Sequence, residues 1–141
     1  MLPRKNSYGS WPNSGEIDIM EYLGHQPSVV HGSLHFSDEA NKHQFATRTF
    51  RLDYGRFSDA FHVFAIEWEA EEIRWFVDGE QYAAISNWGS GERPYPAPFD
   101  HSFFLILNVA VGGNWPGNPD ETTQFPQQLV VDWVRVYQMV E

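Results

Sequence analysis

Glu16, Asp18 and Glu21 fall within one short run, Glu16-Ile17-Asp18-Ile19-Met20-Glu21. Read as a β-strand, the run sends Glu16 and Asp18 to one face and Ile17 and Ile19 to the other, because side chains alternate with a period of two. Strict alternation would place Glu21 among the isoleucines, where an unpaired buried charge is costly. A β-bulge near Met20 removes the conflict, since one extra residue returns Glu21 to the face of Glu16. Carboxyls crowded on one surface raise at least one pKa, so one group can hold a proton near neutrality while another is ionised. Glycoside hydrolysis with retention needs that pair of states, an ionised nucleophile and a protonated general acid. An acidic strand face turned to water is the competing reading of the same residues.

Spacing constrains the idea. Five residues of strand span roughly 16 Å, and a bulge shortens this only modestly. Retaining chemistry holds its two carboxyl groups about 5–5.5 Å apart. Two extended Glu side chains leaning together across a concave sheet close most of the gap, and two Asp would not. The shorter Asp18 suits the inner position, where it can hydrogen-bond Glu16 and bias which of the two keeps a proton.

The elements that must position these residues are strands. Period-two segments separated by Gly, Pro, Asn and Asp clusters predict strands over Gly15–Tyr22, Val29–Phe36, Thr47–Leu52, Phe61–Trp68, Glu72–Val77, Gln81–Ser86, Phe103–Val111 and Leu129–Tyr137. Asp78-Gly79 marks a tight hairpin. Arg93–Pro98 carries three prolines in six residues and reads as loop or edge. Phe103–Val111 is apolar at nearly every position, which predicts burial on both faces at a sheet centre. Asn108 interrupts it, either as a hydrogen-bonded core residue or as a cleft-facing sugar contact. Strands at this spacing predict an all-β fold of two packed antiparallel sheets.

The surroundings of the acidic run are distinctive. Trp11-Pro12-x-Ser14-Gly15-Glu16-Ile17-Asp18-Ile19-Met20-Glu21 resembles the active-site strand of family 16 glycoside hydrolases, in the laminarinase-like (endo-1,3-β-glucanase) branch with one extra residue before the last Glu. The resemblance continues through Gly32-Ser33-Leu34-His35, Phe61-His62-x-Phe64-Ala65-Ile66-Glu67-Trp68 and Ile73-Arg74-Trp75-Phe76-Val77-Asp78-Gly79. It runs on through Phe104–Gly117 and ends in Val131-Asp132-Trp133-Val134-Arg135-Val136-Tyr137-Gln138. It implies a concanavalin A-like β-jelly roll with a glycan cleft on its concave face. By the same resemblance Glu16 is the nucleophile, Glu21 the acid/base, and Asp18 the residue that tunes and orients Glu16. The substrate implied is a laminarin-type β-glucan, hydrolysed at internal β-1,3 bonds by an extracellular or periplasmic enzyme. Mixed-linkage glucan, agar, porphyran or carrageenan as substrate, and transglycosylation, stay open within the family. Because the active-site strand of such a fold lies near mid-chain, residues 1–141 read as the C-terminal part of one catalytic domain whose N-terminal strands are missing. Exposed edges then invite self-association.

Composition bounds the rest. The chain has 141 residues, 42% of them hydrophobic and 16% aromatic, enough for one folded domain. The absence of Cys removes disulfides and thiol chemistry. No run of 18 apolar residues occurs, so no membrane partner is expected, and no signal peptide is legible. A net charge of −10 repels nucleic acid and favours a neutral glycan over a sulfated one.

Six Trp, six Tyr and eleven Phe exceed what a small core needs, and Trp and Tyr serve as sugar platforms. Trp11 and Trp115, in Gly/Pro-rich loops, are the candidates for stacking on sugar or for anchoring their loops. Trp68, Trp75 and Trp133 sit on regular strands and read as core, while Trp88 fits either role. His35 can hydrogen-bond a sugar or a catalytic carboxylate, or be structural. His31 and His35 share a strand face about 13 Å apart, too far to hold one zinc. By resemblance Asp132 is a ligand of a structural calcium whose other ligands lie outside this sequence; alternatively it is an exposed strand Asp. No organic cofactor is implied. A non-catalytic glucan-binding module and an inactive fragment are the rival classes.

Overall fold

The computed structural model describes residues 1–89 and 91–139. They divide into two units, Met1–Ile106 and Leu107–Glu141, each taken by itself.

The first unit is all-β, a sandwich of antiparallel sheets of jelly-roll type. Its strands are β1 (Leu2–Pro3), β2 (Glu16–Tyr22), β3 (Val29–Ser37), β4 (His43–Arg51), β5 (Phe64–Trp68), β6 (Glu72–Val77), β7 (Glu80–Ser86) and β8 (Phe103–Phe104). One sheet has the order β2-β3-β4, a second has β5-β6-β7, and β1 pairs with β8. A single 3₁₀ turn, Phe57–Asp59, is the only helical element among the described residues. Alternation supplies the core. Ile17 of β2 and Leu34 and Phe36 of β3 meet Ile73 and Trp75 of β6 and Ala83 and Ile85 of β7 between the two sheets. Fully burying each large apolar side chain stabilises the fold by about 1.5–3 kcal/mol. Trp88 and Phe99 close one side of this cluster.

Turn chemistry agrees with the sequence. Asp78 and Gly79 both adopt positive φ, 50° and 85°, as the tight turn between β6 and β7 requires. The β3–β4 turn is organised by Asp38, whose Oδ1 accepts hydrogen bonds from the backbone N–H of Ala40 and Lys42. That side chain lets β4 begin at His43, four residues before the expected Thr47, in a polar stretch that carries no alternating signal. Conversely, β5 begins at Phe64 and not Phe61, because the Val63 N–H is taken by Asp78 Oδ1. Arg93–Pro98 forms no strand, as expected, and sends Ala97 and Pro98 into the interior.

Two expected strands fail. Of Phe103–Val111 only Phe103 and Phe104 are strand, paired with Pro3 and Leu2. Leu105 and Ile106 are exposed, and no described strand runs beside them to complete a ladder. In the second unit, Leu107, Val109 and Val111 are likewise exposed, so the predicted burial on both faces is overturned. Leu129–Tyr137 forms no strand either, and Trp133, read as core, is 45% exposed under the guanidinium of Arg135. An apolar run has the capacity for burial, but a strand needs a paired neighbour about 4.8 Å away. Local bonds shape this unit instead, such as Asp120 Oδ1 accepting from the Thr122 N–H at 2.8 Å.

Candidate active site

The register of β2 against β3 decides where the acids point. Glu16 pairs with His35, Ile17 with Leu34 and Asp18 with Ser33, after which the ladder shifts and Glu21 pairs with His31. Ile19 and Met20 together therefore oppose the single residue Gly32, which is a β-bulge at the expected place. Ser33, His35 and His31 alternate on one face of β3, so Glu16, Asp18 and Glu21 share the face opposite Ile17.

Gly32 shows why the bulge settles there. A Cβ on Gly32 would lie 2.4 Å from Trp75 Cδ1 and 2.6 Å from the Tyr82 hydroxyl oxygen, so the two rings occupy the space a side chain would need. Trp75, fully buried, donates its indole N–H to the Asp18 carbonyl at 2.9 Å and holds the bulge from beneath. The lead-in loop is held as firmly. Ser14 Oγ donates to the Gly9 carbonyl at 2.7 Å and accepts from the Tyr8 N–H at 3.0 Å. Gly15, at φ +80°, enters β2 where a Cβ would sit 2.9 Å from the Phe99 ring.

Each acid has a distinct partner. Trp11 Nε1–H donates to Glu16 Oε2 at 2.5 Å. Asp18 Oδ2 faces His35 Nε2 at 3.3 Å. Ser33 Oγ donates to Glu21 Oε2 at 2.7 Å and lies 2.9 Å from Thr47 Oγ1. Burial, and then the charge of Asp18, push the Glu16 carboxyl up, against the Trp11 N–H and His35. Burial likewise raises Glu21; the Ser33 hydroxyl opposes it, while Asp18 and Glu16 add to it. The bond to Asp18 raises His35, outweighing burial. His35 Nδ1 also lies 2.8 Å from His43 Nε2. Burial and the nearby His35 lower His43.

The structure thus brings Trp11, Glu16, Asp18, Glu21 and His35 together. Asn108, Trp115 and Asp132 fall in the second unit, where each is exposed. No group of three or more His, Cys, Asp or Glu among the described residues gathers to hold a metal.

Four residues of this face were given no site role from the sequence: Ser33, Thr47, His43 and Phe45. Cross-strand partners Ser33–Thr47 and His35–Phe45 follow from the β3–β4 register, which the missed start of β4 concealed. Trp11, His43 and Phe45 form an aromatic shelf, with centroids 4.7 Å apart for Trp11–His43 and 5.8 Å for His43–Phe45. Trp11 is 52% and Phe45 64% exposed, so both present open ring area. Beside Glu16, a pocket of about 410 Å³ is lined by Leu2, Pro3, Asn6, Trp11, Gly15 and Phe104.

The sequence model of "Glycosyl hydrolases family 16" matches residues 3–135. The chain belongs to this family. A family 16 relative, the beta-glucanase of Rhodothermus marinus, is 47% identical over 154 residues, covering 100% of this chain and 51% of its own. The endo-beta-1,3-glucanase structure of Pyrococcus furiosus superposes with a TM-score of 0.74 at 41% identity, over 89% of this chain and 48% of that one. The laminarinase catalytic domain of Thermotoga maritima gives 0.73 at 42% identity, over 88% and 50%. The chain spans about half the length of these two structures and of the Rhodothermus relative.

Proposed function

We propose that this family 16 chain carries the active-site strand of an endo-acting, retaining β-1,3-glucanase for laminarin-type glucans. The observation that carries the proposal is the bulge at Ile19–Met20, which turns Glu21 to the face of Glu16 and Asp18. The names of the Rhodothermus, Pyrococcus and Thermotoga relatives support the substrate class.

The hydrogen-bond partners support the division of labour. The Trp11 indole can only donate, so Glu16 Oε2 is kept as an acceptor and cannot carry a proton toward it. A carboxylate held this way is suited to be the nucleophile. Glu21, raised by burial and by its acidic neighbours, is suited to hold a proton. In the first step Glu21 gives its proton to the glycosidic oxygen, the C1–O bond breaks, and a Glu16 oxygen bonds to C1. In the second, water attacks C1, Glu21 takes the water proton, and the Glu16–C1 bond breaks. His35 positions Asp18, which bears on the charge of Glu16. These steps use carboxyls and water and call on no organic cofactor.

The polymer would cross the strands over Glu16, from the pocket beside Gly15 to the shelf of Trp11, His43 and Phe45. Apolar ring faces with polar edges fit a neutral pyranose, and the net charge of −10 disfavours a sulfated one. A polysaccharide cannot cross a membrane, so an enzyme cutting its internal bonds works outside the cytoplasm. Glu16→Gln in the full chain should abolish reducing-end release from laminarin while glucan binding persists in a pull-down. Unchanged turnover would defeat the proposal.

A further inference from the structure

Ser33 is fully buried, at 1% exposure, yet its hydroxyl is spent on a catalytic-strand carboxyl. A hydroxyl has one proton, and Ser33 gives it to Glu21 Oε2 at 2.7 Å. The contact with Thr47 Oγ1 at 2.9 Å must therefore run from Thr47 to Ser33. Thr47, Ser33 and Glu21 form one aligned chain of donation across three strands, β4 to β3 to β2. Such chains strengthen through mutual polarisation.

We propose that Ser33, backed by Thr47, is the positioning residue for the proton-transfer cycle of Glu21. It rests on the reading of Glu21 as the acid/base. With Oε2 engaged by Ser33, Oε1 is the oxygen left to exchange a proton with the glycosidic oxygen and then with water. The proton leaves Oε1 for the leaving oxygen in the first step and returns there from water in the second; neither hydroxyl loses its own. A hydrogen bond to a charged acceptor is stronger than one to a neutral acceptor. The Ser33 bond therefore tightens as Glu21 gives up its proton, aiding the transition state more than the resting enzyme. Without it, burial and the charges facing Glu21 would dominate. Those groups are Asp18 and Glu16 on its own strand, His31 and His35 on β3, Tyr82 on β7 and the amino group of Met1. Trp11 does the corresponding work at Glu16 with a different donor, so the two glutamates can be perturbed separately.

The test is a ¹³C-carboxyl NMR titration of the full chain with labelled Glu, in the parent and in Ser33→Ala, Thr47→Val and Thr47→Ser. The Glu21 titration should move to higher pH in Ser33→Ala and, less, in Thr47→Val, with Glu16 nearly unmoved. Thr47→Ser, which keeps the donor, should match the parent. A kinetic arm follows: Ser33→Ala should lower kcat on laminarin roughly tenfold, as a weakened general acid would. An activated aryl β-glucoside, whose leaving group needs no proton, should lose little in its first step. A Glu21 titration unmoved in both Ser33→Ala and Thr47→Val overturns the proposal. Should Ser33→Ala fail to fold, the two Thr47 variants decide it. Absence of any glucan turnover in the parent would instead remove the proposed function, leaving the NMR comparison to judge Ser33 by itself.

Discussion

Glu16 and Glu21 are both shifted upward, and the sign of that shift has consequences for activity and for stability. The folded state binds their protons more tightly than the unfolded chain does. Their contribution to stability is therefore fully present below the ordinary carboxyl pKa of 4.5 and is lost as pH rises through the raised folded values. Glu21→Gln removes the charge while keeping the acceptor for Ser33. The variant should melt higher than the parent at pH 8, by a few degrees, with the gap closing toward pH 4. Thermal melts across that range check it, and a pH-independent difference would refute the assignment of the raised Glu21 carboxyl to burial and to its acidic neighbours. For activity, the acidic limb of the rate profile should report Glu16 and the alkaline limb Glu21, both raised from the ordinary carboxyl value. Phe45 is a separate matter, since its ring lies against those of His35 and His43. Phe45→Ala should raise KM on laminarin several-fold with kcat unchanged, the pattern of lost uniform binding. A fall in kcat alone would remove Phe45 from the binding shelf.

At the scale of elements, the bulge in β2 was legible because a charge and a period conflicted. The bulge keeps Ile17 in the core and puts all three acids on the opposite face, which strict alternation cannot do. What was not legible was the structure beneath it. Trp75 reads in the sequence as one more core aromatic, yet its N–H fixes the Asp18 carbonyl. Gly32, given no role in the sequence beyond its place in the resemblance, is the gap into which Trp75 and Tyr82 fit. Such complementarity depends on which strands face each other and leaves no periodic trace. Gly32→Ala should therefore cost about 1–3 kcal/mol by overpacking. It should also lower activity more than stability, because the side chain displaced is the one holding the bulge. Denaturant unfolding together with laminarin turnover tests this. Full activity in a folded Gly32→Ala chain would show that the bulge stands without that fit. The early start of β4 is a second case: Asp38 builds the turn with its side chain, so His43 and Phe45 join the sheet from a stretch without alternation.

At the scale of the whole molecule, the all-β class and the two-sheet sandwich of Met1–Ile106 followed from period-two patterning alone. The apolar runs after Phe104 did not behave as the pattern implied. Strand formation needs a partner as well as a suitable composition, and only Leu2–Pro3 supplies one to Phe103–Phe104. Leu105, Leu107, Val109, Val111, Val130 and Val136 are all exposed. Apolar surface of this extent drives association. The 141-residue chain should therefore show a concentration-dependent rise in light scattering at micromolar levels. Scattering that stays monomeric across the range would show that these side chains find cover within one chain.

One measurement bears on the central claim, that Glu16 and Glu21 serve a single linkage from one face of one strand. Mass spectrometry of the chain after incubation with a 2-deoxy-2-fluoro-β-laminaribiosyl donor, followed by peptide mapping, reads the trapped glycosyl-enzyme directly. A sugar adduct on Glu16, absent in Glu16→Gln, is the predicted result. An adduct on Glu21 or another residue, or none while laminarin is still hydrolysed, would contradict the account.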